Sequence, residues 1–182
     1  PFQHISDPVL KKMNRKITRK EIEATMARVR RQLPDVAWRT TFIVGFPTET
    51  DQDFEELVDF VSEGHFQHLG IFLYSDEDNI RSSKFGDPIP LSLKEERKNR
   101  LMEIQQKISR EHHQKMVGSL QQVLVGGFSS ETDLLLEGRN QYQGPEVDGV
   151  VYINEGNATS AGFHQVEITE AHEYDLVGKI LN

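Results

Sequence analysis

The sequence predicts an α/β unit over residues 1–117 followed by a small all-β antiparallel barrel over residues 118–182. Three observations carry that division. Before Gly118, helical and strand-like apolar patterns alternate with short connections, the signature of a parallel α/β unit. Beyond Gly118, five short β-rich runs are separated by glycine-bearing turns, as in a small barrel. At 182 residues, 36% apolar and 27% charged, the chain is long enough to bury a core in each part.

Asp7-Pro8 opens a short helix, with Asp7 as the cap, Pro8 at the first helical position, and Val9, Leu10 and Met13 on its apolar side. Thr18 with Glu21 is a capping-box pattern; Ile22, Met26, Val29 and Leu33 then follow at helical spacing until Pro34. Residues 38–46 are aromatic and β-branched, and the near-continuous apolar run at Ile43-Val44 predicts a strand covered on both faces. Thr50 with Asp53 caps a helix carrying Phe54, Leu57, Val58 and Val61, which Gly64 stops. Residues 68–74 read as a second buried strand, and Ser75 to Pro90 as a loop. Ser92 with Glu95 caps a long helix whose stripe is Leu93, Arg97, Leu101, Ile104 and Ile108. The barrel strands are expected at 122–125, 134–136, 147–153, 165–168 and 174–181, with turns at Gly126-Gly127, Gly138, Gly144-Pro145, Gly156-Asn157 and Gly162.

Charge narrows the partners. The formal net charge is −8, and residues 118–182 hold ten acids against two bases, Arg139 and Lys179, so the whole excess lies there. A phosphate-binding surface needs Lys and Arg to displace condensed counterions. This distribution disfavours RNA and suits a basic protein partner, or serves as a solvated acidic face. No window reaches the roughly 18 apolar residues of a membrane span. The absence of cysteine removes disulfides, thiolate metal sites and a thiol nucleophile, and is compatible with a cytoplasmic setting. The chain begins at Pro1 and reads as a piece of a longer protein.

Few residue patterns carry chemistry by themselves. His65 with His68, and the adjacent His112 and His113, lack a carboxylate at a convincing spacing, so capping or solvated histidines outweigh a metal site. Gly45 to Thr50 lies between a strand and a helix, where α/β folds bind ligands on free backbone N–H groups, or it is an ordinary turn. Gln3 to Asp7 is a polar cluster that is part cap and part candidate site. Arg39, at the start of an apolar strand, either holds a carboxylate or extends to solvent.

Taken together, the segments resemble the radical S-adenosylmethionine (SAM) methylthiotransferases. The blocks are Gln3-His4-Ile5-Ser6-Asp7-Pro8-Val9-Leu10 and Arg39-Thr40-Thr41-Phe42-Ile43-Val44-Gly45-Phe46-Pro47-Thr48-Glu49-Thr50. Leu69 to Ser75 is similar to that family's last barrel strand, and residues 100–109 to its connecting helix. Gly138-Arg139, Pro145 to Tyr152, Ile168 to Ala171 and Tyr174 to Gly178 are similar to its TRAM domain. The blocks run in the family's order along nearly the whole chain, and among its branches they are most similar to the RimO type. Two departures stand out: Asp78-Asn79-Ile80-Arg81, where the family commonly has a Gly-Thr step, and Asn140-Gln141-Tyr142 ahead of the Pro-Glu-Val-Asp-Gly block.

The resemblance implies a fold: the C-terminal part of a partial (β/α) radical SAM barrel, followed by an OB-like TRAM barrel. It implies transfer of a methylthio group to the β-carbon of an aspartate in a basic small-subunit ribosomal protein. The cofactors are S-adenosylmethionine and two 4Fe-4S clusters, each held by three cysteines. A cysteine-free chain leaves both clusters to an upstream portion and is expected to be inactive alone, with no catalytic residue and no metal ligand of its own. By position in the family fold, Gln3 and Ser6 face the ribose or methionyl part of S-adenosylmethionine, and Arg39 pairs with its carboxylate. Ile43, Gly45, Phe46, Phe72 and Tyr74 line its adenine. The alternatives are a tRNA methylthiotransferase of the MiaB type and a non-catalytic adaptor.

Overall fold

The computed structural model describes residues 1–76, 83–157 and 161–181. It forms two compact units, Pro1–Gln105 and Gln106–Asn182, the division falling inside the long helix α4 (Leu91–Gln114).

In the first unit, helices α1 (Asp7–Lys12), α2 (Arg19–Gln32) and α3 (Asp51–Ser62) accompany two parallel strands, β1 (Arg39–Val44) and β2 (His68–Leu73). Two of the three predicted Ser/Thr–acid caps form as boxes, Thr18 with Glu21 and Thr50 with Asp53. Asp7 does not cap α1. Ser6 holds that position, and the Asp7 carboxylate accepts the N–H of Arg19 at 2.7 Å, tying α1 to the start of α2. The strands pair from Arg39↔His68 to Val44↔Leu73, and Gln3 extends the sheet through a parallel bridge to Phe42.

The core of this unit joins Ile5, Leu10, Ile22, Met26, Phe42, Val44, Phe54, Leu57, Phe60, Phe66, Ile71 and Leu101. Each fully buried side chain of this size contributes about 1.5–3 kcal/mol. Val29 of the predicted α2 stripe is half-buried and Leu33 exposed, because the helix ends at Gln32. The expectation of strands covered on both faces needs correcting. On β1, Thr40, Phe42 and Val44 are buried, whereas Thr41 and Ile43 are half-buried and Phe72, beside Ile43, is 63% exposed. Among the described residues one face of the sheet packs on the helices and the other is open.

Helix α4 begins at Leu91, so Ser92 lies inside its first turn rather than at the cap. Its buried stripe also differs from the predicted one. Lys94, Arg97, Leu101, Gln105, Ser109 and His113 are buried, and Leu101 is the one apolar member. The described part of the loop before it holds a short 3-10 turn, Ser83–Phe85; Asp78-Asn79-Ile80-Arg81 lies outside the described residues.

The second unit contains the five predicted strands, β3 (Leu120–Phe128), β4 (Leu136–Arg139), β5 (Val151–Glu155), β6 (Gly162–Ala171) and β7 (Leu176–Ile180), closed into a barrel in the order β3-β4-β5-β7-β6. One seam departs from the all-antiparallel expectation: β5 and β7 run parallel, from Val151↔Leu176 to Glu155↔Lys179. Val123, Val125, Val151, Ile153, Val166, Ile168, Leu176 and Ile180 fill the interior. Gly138, expected in a turn, is an inward position of β4 where a Cβ would meet Val123 Cγ1 at 2.6 Å. Gly126-Gly127 lies in β3, whose register shifts there, and Gly162 opens β6.

Candidate functional site

The open face and carboxyl ends of β1 and β2 bring most of the sequence-predicted residues together. Ile43 and Phe72 are register partners on the open face. Gln3 lies beside Ile43: its carbonyl accepts the Ile43 N–H at 2.8 Å, and its own N–H donates to Thr41 O at 3.0 Å. It adopts φ 71°, unusual for a side-chain-bearing residue. Just past the strand ends, Phe46 and Tyr74 meet edge to face at 5.3 Å and pack with Val9 and Phe85. Two predicted residues stand apart. Arg39 is at the opposite end of β1, about 17 Å of strand from Val44 at roughly 3.3 Å per residue. Ser6 is buried, and its hydroxyl donates to Asp53 Oδ1.

A buried polar network that sequence reasoning missed fixes the Gly45-Phe46 corner. The Glu49 carboxylate accepts the N–H of Gly45 at 2.8 Å and of Phe46 at 3.3 Å through Oε2, and Arg97 Nη1 at 2.7 Å through Oε1. Arg97 also donates to Asp51 at 2.6 Å and lies over the Phe54 ring. Gly45 has φ 75°, and a Cβ there would meet Lys94 Cγ at 2.3 Å. Beyond that contact, Lys94 Nζ donates to Tyr74 O at 2.8 Å and to Asp87 Oδ2 at 2.6 Å. Thus α4 holds the end of β1 through Arg97 and the end of β2 through Lys94. The sequence signal was the 94, 97, 101, 105 spacing itself, which reads equally well as a solvated face.

His4 belongs to the same network. Its Nδ1 accepts the Ser6 N–H at 3.0 Å, which places the proton of the neutral ring on Nε2, 3.7 Å from Glu49 Oε2. Burial pulls His4 down to about 4, with Asp53 opposing and Arg97 assisting. Burial pushes Glu49 up to about 7, against Arg97 and the Gly45 and Phe46 N–H groups. Burial also disfavours ionised Asp53, but the Ser6 and Thr50 hydroxyls and the Thr50 N–H outweigh it and hold its carboxyl below the usual range.

These shifts have opposite consequences for stability. Between pH 4 and 6.5 the unfolded chain binds a proton at His4 that the folded chain refuses, so acidification there destabilises. Between pH 4.5 and 7 the folded chain holds an extra proton at Glu49, so acidification there stabilises. The two offset each other where the windows overlap. His4→Asn keeps an acceptor for the Ser6 N–H and leaves Glu49 unopposed. Its first unit is therefore expected to melt a few degrees higher at pH 5 than at pH 7, while the parent changes less. Thermal melts followed by Trp38 fluorescence check this, and a variant that loses stability on acidification contradicts it.

The donor set does not fit an iron-sulfur cluster. The chain has no cysteine, and among the described residues no group of three or more potential metal ligands converges. The open face does fit a flat, partly apolar ligand, because Ile43 and Phe72 offer it surface, whereas the space beside Gly45 is already taken by the Lys94 side chain. No helix among the described residues is long and apolar enough to cross a membrane.

Residues 1–61 match the Radical SAM superfamily and residues 117–181 the TRAM domain. The chain is 50% identical over 181 residues to the ribosomal protein uS12 methylthiotransferase RimO of Bdellovibrio bacteriovorus, covering 100% of this chain and 40% of that protein. The proteins of the same name from Geobacter sulfurreducens and Desulfotalea psychrophila are 43% and 46% identical over 182 residues, with 100% of this chain and 41% of each relative covered. The chain thus spans about 40% of the length of the curated relatives it matches. Along its whole length the chain is similar to about two fifths of proteins named as RimO-type methylthiotransferases, a Radical SAM match being followed by a TRAM match.

Proposed function

We propose that this chain is the C-terminal portion of an enzyme that methylthiolates the β-carbon of an aspartate in the small-subunit ribosomal protein uS12. The observation that carries this reading is the 43–50% identity, along the entire chain, to proteins named for that activity. S-adenosylmethionine, with a 4Fe-4S cluster, supplies hydrogen abstraction from an unactivated C–H, and a second cluster handles the sulfur. Both clusters belong to the part of the relatives' length outside this chain, which by itself has no turnover.

The contribution of this chain is to bind and orient. Ile43 and Phe72 give the adenine a floor, Gln3 borders it, and the Gly45 corner, backed by Phe46 and Tyr74, closes the end of the site. Arg39 shares the open face at its other end and meets the ligand's carboxylate. Ser6 acts through Asp53 as a positioning residue. The acid-rich barrel steers a basic protein toward the site and repels nucleic acid. In the test, the complete enzyme, reconstituted with iron and sulfide, is supplied with S-adenosylmethionine and either purified uS12 or tRNA. Mass spectrometry is expected to find one methylthio group on a uS12 aspartate; modification of tRNA instead, or turnover by the present chain alone, overturns the reading.

A further inference from the structure

The barrel carries a groove whose chemistry differs from the rest of its surface. It encloses about 470 Å³ along β3, the loop after β4 and the start of β6. None of the nine residues lining it is acidic, although residues 118–182 contain ten acids. Leu120 and Phe163, 57% and 68% exposed, give it an apolar wall, and Arg139 is its one cation.

Asn140 and Gln143 line this groove and are only 4% and 7% exposed. Their amide orientations are fixed by the backbone. Asn140 Oδ1 accepts the Tyr142 N–H at 2.9 Å, and Gln143 Oε1 accepts the Asn140 N–H at 3.0 Å. Turning either amide over would set an NH2 against an N–H, so the amino groups must stay where they are. Both, Asn140 Nδ2 and Gln143 Nε2, are buried without an acceptor. Leaving such a donor unmet costs about 1–3 kcal/mol, a cost that a ligand carrying acceptors relieves.

We infer that this groove grips an extended segment of the protein partner through its main-chain carbonyls, received by Asn140 and Gln143, with one apolar side chain against Leu120 and Phe163. An extended polypeptide offers a carbonyl at every residue and needs no acid in the groove. Single-stranded RNA would gain a stacking platform in Phe163 but finds one cation in the groove, and the module's other base, Lys179, is 3.3 Å from Glu167. The acids around the barrel then speed encounter with a basic partner, and the groove supplies the hold.

The inference rests on the reading that the barrel meets uS12, and calorimetric titration of this chain with recombinant uS12 tests the two separately. Asn140→Asp and Gln143→Glu keep the oxygens that accept backbone N–H groups while replacing the buried donors with acceptors. Each is expected to weaken binding about tenfold, the scale of one lost hydrogen bond. A grip by charge alone makes the same variants bind the basic protein more tightly, so unchanged or tighter binding overturns the groove. Phe163→Ala, at an exposed position, is expected to weaken binding similarly without disturbing the fold, and serves if the amide variants do not fold. Parent chain that fails to bind uS12 removes the functional reading and the groove with it. Tighter binding of an oligouridylate than of uS12 assigns the groove to RNA and overturns it.

Discussion

Gly149→Ala is expected to cost the barrel about 3–5 kcal/mol, combining severe overpacking with lost backbone pairing. A Cβ at this position would stand 1.7 Å from Tyr174 O, 2.5 Å from Tyr174 C and 2.7 Å from Asp175 Oδ1. Two of these are backbone atoms, so no side-chain rotation relieves the overlap. The surrounding contacts make a local retreat expensive. Val150 N–H donates to Asp175 Oδ1 at 2.9 Å, and Leu176 N–H donates to Val150 O at 2.9 Å. These bonds start the parallel seam of β5 and β7, through which the barrel closes. Moving the 174–175 turn away from a methyl group breaks both bonds and opens the seam. A domain this small has a stability near the lower end of the usual ~5–15 kcal/mol range, so much of the barrel population should unfold. Amide NMR dispersion of the barrel would collapse while Trp38 still reports a folded first unit. Gly126→Ala is the control, because its nearest neighbour is 3.9 Å away. Equal melting of the two variants would mean that the β5–β7 seam has slack this geometry does not show.

The legible parts of this fold are those where cause and effect lie close in sequence. The boxes at Thr18/Glu21 and Thr50/Asp53 close over three residues, and Gly64 stops α3 at φ 73° within the same helix. Ile43, Phe46, Phe72 and Tyr74 could be grouped from the resemblance, and parallel pairing then sets Ile43 against Phe72. What escaped depends on distant partners. Arg97 falls on the predicted stripe of its helix, but nothing local names its partner, because Glu49 lies 48 residues earlier. Ser6 reads as a helix cap or a ligand contact until Asp53, 47 residues later, takes its hydroxyl. Gly138 reads as a turn because inward crowding against Val123 depends on strand pairing rather than on local propensity. The parallel direction of β5 and β7 is likewise invisible to periodicity, which is the same for both senses of pairing.

Arg97→Met is the other substitution with a large expected effect, about 1–3 kcal/mol on the first unit, because it removes both the hydrogen bond and the cation that compensate the buried Glu49 carboxyl. Glu49 would retain the Gly45 and Phe46 N–H groups but no cation, at a side chain with 0% exposure. The reciprocal change should be milder. In Glu49→Gln the guanidinium keeps Asp51, whose side chain is 92% exposed, and an amide oxygen can still accept one of the corner's N–H groups. The double variant should therefore be more stable than the sum of the two losses predicts, since neither buried charge remains to be compensated. Protonation gives an independent check. Because burial already raises Glu49 to about 7, the stranded carboxyl in Arg97→Met can take up a proton, so its loss should shrink between pH 8 and pH 6. Denaturation followed by Trp38 fluorescence across that range measures all three variants. Strictly additive losses, or a deficit in Arg97→Met that does not change with pH, would mean that Arg97 acts by packing on Phe54 and not by compensating the charge that fixes the Gly45-Phe46 corner.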